Sequence, residues 1–164
     1  MSGIRPCEAG VAVVLRHVGG VESLRDVTAD MLDTYKGEMD EVVYRRCRYV
    51  VDENQRLLDA CAALEKGDYV TFGQKMNGSH EGLSRQYEVS CDELDFLADI
   101  GHRTDGVLGA RMMGGGFGGC TINLVRAEAY DGYLAEATDR FAHRFGHAPR
   151  VIEVNISQGA RRIG

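Results

Sequence analysis

No uninterrupted apolar run in this sequence approaches the roughly 20 residues that a membrane-crossing helix needs. The first residues, Met1-Ser2-Gly3-Ile4-Arg5-Pro6, lack the apolar core of a signal peptide. Positive charge is not in excess: 19 Lys and Arg against 25 Asp and Glu leave a formal charge of −6, which gives no electrostatic reason to expect nucleic acid. The five cysteines, Cys7, Cys47, Cys61, Cys91 and Cys120, contain no C-x-x-C pair and are odd in number. That argues against a disulfide framework and for free thiols in a reducing compartment. His143 and His147 have helical spacing, but Gly146 lies between them and no third ligand is in view, so they read as a surface pair rather than a metal site. Repeats, low-complexity tracts and linkers are missing as well. Together these absences predict a soluble, cytoplasmic protein with no membrane and no nucleic-acid partner, folded as a single domain over residues 1–164.

What the chain does have is glycine in one place. Met112-Met113-Gly114-Gly115-Gly116-Phe117-Gly118-Gly119-Cys120 sets five glycines around a phenylalanine, between the apolar segments Gly106–Met112 and Cys120–Val125. Ordering glycine costs more backbone entropy than ordering any other residue, so such a run suggests a purpose. The pattern reads as strand, glycine loop, strand. Two interpretations stand side by side: a loop whose N–H groups gather around an anion, or which packs against a loop that does so, and a generous hairpin turn.

Upstream the sequence reads as helices. Cys7 to His17 is small, apolar and stopped by Gly19-Gly20, and Thr28 can cap a short helix that reaches about Tyr35. A long helix is predicted from about Glu38 to Lys66, its buried stripe running through Val43, Cys47, Val50 and Cys61, with Arg45, Arg46 and Arg48 on a solvated face paired to Glu41 and Asp52. A helix from about Asp68 to Leu83 puts His80 on its apolar side, where a histidine is most often a core residue with one or two hydrogen bonds. Ser90 and Glu93 have capping-box spacing for a helix through Leu94, Leu97, Ala98 and Ile100; its carboxylates Asp92, Glu93, Asp95 and Asp99 read as a solvated face. Downstream of the loop come a helix over Ala127–Phe145 and, from alternation between Ile152 and Ile156, a third strand within 150–156. The fold class that follows is α+β, an antiparallel sheet covered by helices after a largely helical N-terminal part. Three strands are few for such a sheet, which leaves room for one supplied from outside the chain.

Three stretches carry a family resemblance. Arg111-Met112-Met113-Gly114-Gly115-Gly116-Phe117-Gly118-Gly119-Cys120-Thr121, the segment Met76-Asn77-Gly78-Ser79-His80-Glu81-Gly82-Leu83 continuing to Tyr87-Glu88-Val89-Ser90-Cys91-Asp92-Glu93-Leu94-Asp95, and the earlier Ser23–Val27 and Arg45–Val51 resemble, in this order, the C-terminal half of the galactokinases of the GHMP small-molecule kinase family. The similarity runs from about Cys7 to Ala160, with Met113 where the family commonly has threonine or serine and Asp92 where it has proline. The resemblance implies the ferredoxin-like C-terminal lobe of these kinases. It also implies that Gly114, Gly115, Gly116, Phe117, Gly118 and Gly119 close against a phosphate loop and the sugar end of the active-site cleft.

The N-terminal half that the family uses for chemistry is not matched. Its Glu-His-Asp sugar segment, its Gly-Leu-Ser-Ser-Ser phosphate loop and its catalytic aspartate and arginine have no counterpart, so no catalytic residue is expected in this chain. By resemblance, ATP and magnesium serve the complete enzyme and neither binds this chain tightly alone; the partners are the missing N-terminal half, galactose and ATP. Readings held open beside this one are a non-catalytic binding or regulatory module and the lobe of another GHMP sugar kinase. A truncated gene and one half of a split enzyme are both compatible origins.

Overall fold

The computed structural model describes residues 4–154, with side chains described from Pro6 onward. In chain order the helices are α1 (Ile4–Leu15), α2 (Ala29–Tyr35), α3 (Glu41–Glu65), α4 (Tyr69–Gly82) and α5 (Asp92–Arg103); strands β1 (Val107–Met113) and β2 (Cys120–Val125) follow, then α6 (Tyr130–Phe145). The fold class is the expected α+β arrangement: helices cover an antiparallel sheet whose described part has two strands. Among the described residues, no helix is long and apolar enough to cross a membrane.

Local chemistry sets most of the boundaries. Thr28 caps α2 by accepting from the Met31 N–H, and Asp68 caps α4 by accepting from Thr71. The long helix does not begin at Glu38. Lys36–Glu38 forms a separate short turn, and Asp40, whose carboxylate accepts from the Val42 N–H, starts α3. The capping box at Ser90 does not form either: Cys91 holds the N-cap position of α5, and the Ser90 hydroxyl donates to Asp95 instead. The third strand is likewise not formed over the part that is described, because residues 151–154 are irregular and exposed; Asn155 and Ile156 lie outside the described residues.

Two apolar clusters hold the body together. The first buries Val14, Leu32 and Cys47 together with the connector residues Val21, Leu24 and Val27, joining α1, α2 and α3. The second packs Ile100, Tyr133 and Ala137 against Phe96, Val107 and Val125, clamping α5 and α6 onto the sheet. Helix α4 links the two, and it meets β1 backbone to backbone. A Cβ on Gly73 would lie 2.0 Å from the Leu108 carbonyl oxygen, and one on Gly109 would lie 2.6 Å from the Gly73 Cα. No side chain fits between those two segments.

That close approach lets α4 do for β1 what a neighbouring strand would do. The outward N–H groups of β1 are taken up by side chains: Ala110 donates to Asn77 Oδ1 at 2.8 Å and Met112 to His80 Nδ1 at 3.1 Å. The Ala110 carbonyl accepts from His102 Nε2 on α5 at 2.9 Å. These three groups on the covered edge of β1 are therefore satisfied without a third strand.

Candidate functional site

The glycine loop joins β1 to β2, whose register pairs Met113 with Cys120, so its six residues emerge directly from a closed ladder. Positive φ is needed at Gly114 (94°), Gly116 (87°), Gly118 (128°) and Gly119 (107°), and Phe117 itself sits at 59°. A chain of β-carbon residues would be strained at nearly every step of this path. Sequence composition here is thus a direct record of backbone geometry.

One glycine also fixes where the loop sits. A Cβ on Gly116 would lie 2.0 Å from the Val89 carbonyl oxygen, while Gly114, Gly115 and Gly118 have nothing within 4 Å of theirs. Beside that approach, the Phe117 N–H donates to the same Val89 oxygen at 2.7 Å. The loop is docked at one point and open elsewhere, with Phe117 77 % exposed and Met113 50 % exposed. Its open face carries backbone and an aromatic ring, and no carboxylate, histidine or lysine lies within Gly114–Gly119.

The segment that receives the loop is itself held from two sides. Leu83–Tyr87 forms a π-type turn after α4, and Glu88 adopts the left-handed conformation at φ 62°. Arg45 and Arg46 of α3 both reach the Glu88 carboxylate, at 2.8 and 3.3 Å, and Arg45 also donates to the Arg85 carbonyl at 3.2 Å. The expected pairing of this basic cluster with Glu41 and Asp52 therefore holds only for Arg48, which binds Asp52 at 3.0 Å and Asp33 at 2.9 Å.

From the other side a polar chain runs from β1 to the same segment. The His80 ring accepts from the Met112 N–H through Nδ1, and its Nε2 faces Asp95 Oδ1 at 3.2 Å. Asp95 also accepts from Ser84 at 2.8 Å and from Ser90, the residue after Val89. His80 is 5 % exposed, and burial lowers its pKa below the ordinary histidine value, outweighing the opposing pull of Asp95; His102 and Arg111 lower it further. A neutral ring with its proton on Nε2 satisfies both contacts. His80 is thus a core histidine that ties the strand leading into the loop to the carbonyl that receives the loop.

Sequence reasoning placed the loop and missed its supports. Val89 offers only a backbone carbonyl, which no residue pattern reveals, and Asp95 read as one of four solvated carboxylates. The one available signal was that both lie in the Tyr87–Asp95 segment. His147 lies past the left-handed Gly146 that ends α6 and packs its ring on Phe141. Among the described residues, no group of three or more His, Cys, Asp or Glu side chains could hold a metal ion. The open space beside Gly114, Gly115 and Gly118 lets a phosphate come close to the loop backbone.

Comparison with known proteins agrees along the chain. Residues 60–140 match the family of GHMP kinases C terminal domains. A galactokinase of Clostridium beijerinckii is 36 % identical over 159 residues, covering 96 % of this chain and 41 % of that protein. A galactokinase of Bos taurus is 49 % identical over 110 residues, 67 % of this chain and 28 % of that one. The crystal structure of Lactococcus lactis galactokinase complexed with galactose superimposes with a TM-score of 0.80 at 32 % identity, over 90 % of this chain and 39 % of its own. The chain thus spans about 40 % or less of the length of the relatives it matches.

Proposed function

Because the chain belongs to the GHMP kinases, as a C-terminal domain of the galactokinase kind, we propose that it is the C-terminal lobe of an ATP-dependent galactokinase. The reaction is transfer of the γ-phosphoryl group of ATP to the anomeric hydroxyl of galactose, giving galactose 1-phosphate and ADP. The bond between the β–γ bridging oxygen and the γ-phosphorus breaks, a bond from the sugar oxygen to that phosphorus forms, and the hydroxyl proton passes to a base outside this chain. Such transfers depend on positioning and charge stabilisation of nucleotide, magnesium and acceptor. In this reading the chain acts in the cytoplasm as one folding unit, and it contributes a wall rather than the reacting groups.

The observation that carries the proposal is the docked glycine loop. Gly116 and Phe117 are fixed on Val89, and Gly114, Gly115 and Gly118 are left open. An unobstructed backbone of this kind can lie against a phosphate or against another glycine-rich loop without a side chain intervening. We assign Gly114, Gly115, Gly116, Phe117, Gly118 and Gly119 to the active-site cleft as the surface that closes on nucleotide phosphate and sugar. ATP, magnesium and galactose are held chiefly by the N-terminal lobe of the complete enzyme.

The test is a coupled ADP-release assay with galactose. The purified chain is expected to give no galactose-dependent signal, and co-expression with the N-terminal lobe of a galactokinase relative is expected to restore it. Turnover by the chain alone would place catalytic groups here and overturn the assignment. Stable association with that lobe but no turnover would favour the binding-module reading instead.

A further inference from the structure

Away from the loop, at the other end of the chain, two of the cysteines face one another across a helix pair. Cys7 lies on α1 and Cys47 on α3, and the Cys47 sulfur sits against the turn of α1 that carries Cys7, between Pro6 and Gly10. Cys47 is fully buried, and its Sγ also reaches the Pro6 carbonyl at 3.6 Å. Gly10, one turn along α1 from Cys7, makes room for it: a Cβ there would lie 2.3 Å from the Cys47 Sγ. The Cys7 Sγ contacts the Tyr87 hydroxyl at 3.7 Å, and Cys7 is only half-buried whereas Cys47 is buried.

We propose that Cys7 and Cys47 form a hydroperoxide-responsive thiol pair, in which Cys7 is oxidised first and Cys47 resolves it to a disulfide that ties α1 to α3. In the first step the Cys7 sulfur attacks a peroxide oxygen. A sulfur–oxygen bond forms, the oxygen–oxygen bond breaks, and the leaving hydroxide takes a proton to become water. In the second step the Cys47 sulfur attacks the Cys7 sulfenic sulfur; the sulfur–sulfur bond forms and the second oxygen leaves as water with the proton that Cys47 gives up. Two thiols lose two electrons to one hydrogen peroxide, and a small thiol or dithiol reductant reverses the change.

The surroundings divide the two roles. The neighbouring Cys47 thiol lowers the Cys7 pKa against the opposing effect of burial; the Tyr87 hydroxyl and the Arg46 charge lower it further, and Glu8 raises it. Cys47 is raised well above the ordinary thiol value by the neighbouring Cys7 and by burial, so it remains a protonated donor, to the Pro6 carbonyl. A lowered pKa increases the thiolate fraction but weakens the nucleophile, and the two effects largely offset. Selectivity for this pair therefore comes from proximity: once Cys7 is a sulfenic acid, the Cys47 thiol is already packed against the same turn of α1.

The experiment treats the full chain with hydrogen peroxide at neutral pH, then counts thiols and maps peptides without reduction. Of the five free thiols, three are expected to remain. The linked peptides should be those of Cys7 and Cys47, and the melting temperature should rise on the order of 10 °C from closure of the intervening loop. In Cys47→Ser, Cys7 should instead accumulate as a sulfenic acid trapped by dimedone; Cys47→Ala, which places no hydroxyl in the core, serves if the serine variant does not fold. Oxidation at the exposed Cys61 and Cys120 while Cys7 and Cys47 stay reduced would overturn the proposal. So would a disulfide joining Cys7 to any other cysteine.

Discussion

Adding a single methyl group at Gly116 should undock the glycine loop without unfolding the protein. Alanine there must adopt φ near 87°, a left-handed conformation that costs a β-carbon residue about 1–2 kcal/mol. Its Cβ would also stand 2.0 Å from the Val89 carbonyl oxygen, a backbone atom that has no rotamer to escape into. The loop relieves the contact only by lifting off, which breaks the 2.7 Å bond from the Phe117 N–H. The backbone strain alone sets about 1–2 kcal/mol against the docked state, equivalent to at least a roughly 5- to 30-fold shift of the local opening equilibrium, and the clash adds to it. Hydrogen exchange followed by NMR reads this directly: protection of the Phe117 amide should fall by that factor or to the unprotected rate, while amides of β1 and β2 keep theirs. Gly115→Ala is the matched control, because Gly115 has ordinary φ and nothing within 4 Å of a built Cβ. Unchanged protection at Phe117 in Gly116→Ala, or an equal loss in Gly115→Ala, would refute the docking argument.

The same geometry separates loop function from loop structure. Gly115→Val, assayed together with an N-terminal lobe, should abolish galactose-dependent ADP release while the spectrum of this chain stays unchanged; normal turnover would reduce the loop to a connector. At the contact between α4 and β1, Gly73→Ala should destabilise by about 3 kcal/mol or more in urea unfolding, because overpacking against backbone exceeds the gain of about 1 kcal/mol from helix propensity. Gly132→Ala on α6, where a Cβ meets nothing within 4 Å, should instead stabilise by about 0.5–1 kcal/mol. The pH dependence of stability should carry the mark of His80, whose pKa is lowered in the folded chain. The unfolded chain takes up the proton first as pH falls below about 6.5, so this residue's contribution is intact above that value and is lost as pH drops toward the lower native pKa. His80→Gln, which keeps a donor and an acceptor but cannot titrate, should flatten the difference in urea midpoint between pH 7 and pH 5.

Those contacts also separate what the sequence could reveal from what it could not. Helix existence was legible wherever spacing and caps acted within a few residues: Thr28 and Asp68 start their helices where the pattern said they would. The strand–glycine–strand unit was legible for the same reason, since its ladder closes on itself. Misreadings arose where a side chain had two available partners. Ser90 could cap a helix or serve Asp95, and the tertiary partner won; Arg45 had Glu41 one turn away on its own helix but binds Glu88, more than forty positions on. Alternation between Ile152 and Ile156 spoke for a strand, yet alternation states only which faces differ and not whether a neighbour is present, and residues 151–154 are irregular. The loop's docking point was invisible because Val89 offers a carbonyl that every residue possesses.

The side-chain cover on β1 gives the sheet a direction. With Asn77, His80 and His102 occupying one edge, no incoming backbone can pair there without first displacing three specific hydrogen bonds and separating two glycines in contact. Among the described residues β2 pairs only with β1, and Cys120 and Ile122 lie exposed along it. Any further strand, whether from elsewhere in the polypeptide or from another molecule, must therefore be added beyond β2. Growth of this sheet is one-sided, so a charge or a proline introduced on β2 would guard against edge-to-edge association where the same change near β1 would guard nothing.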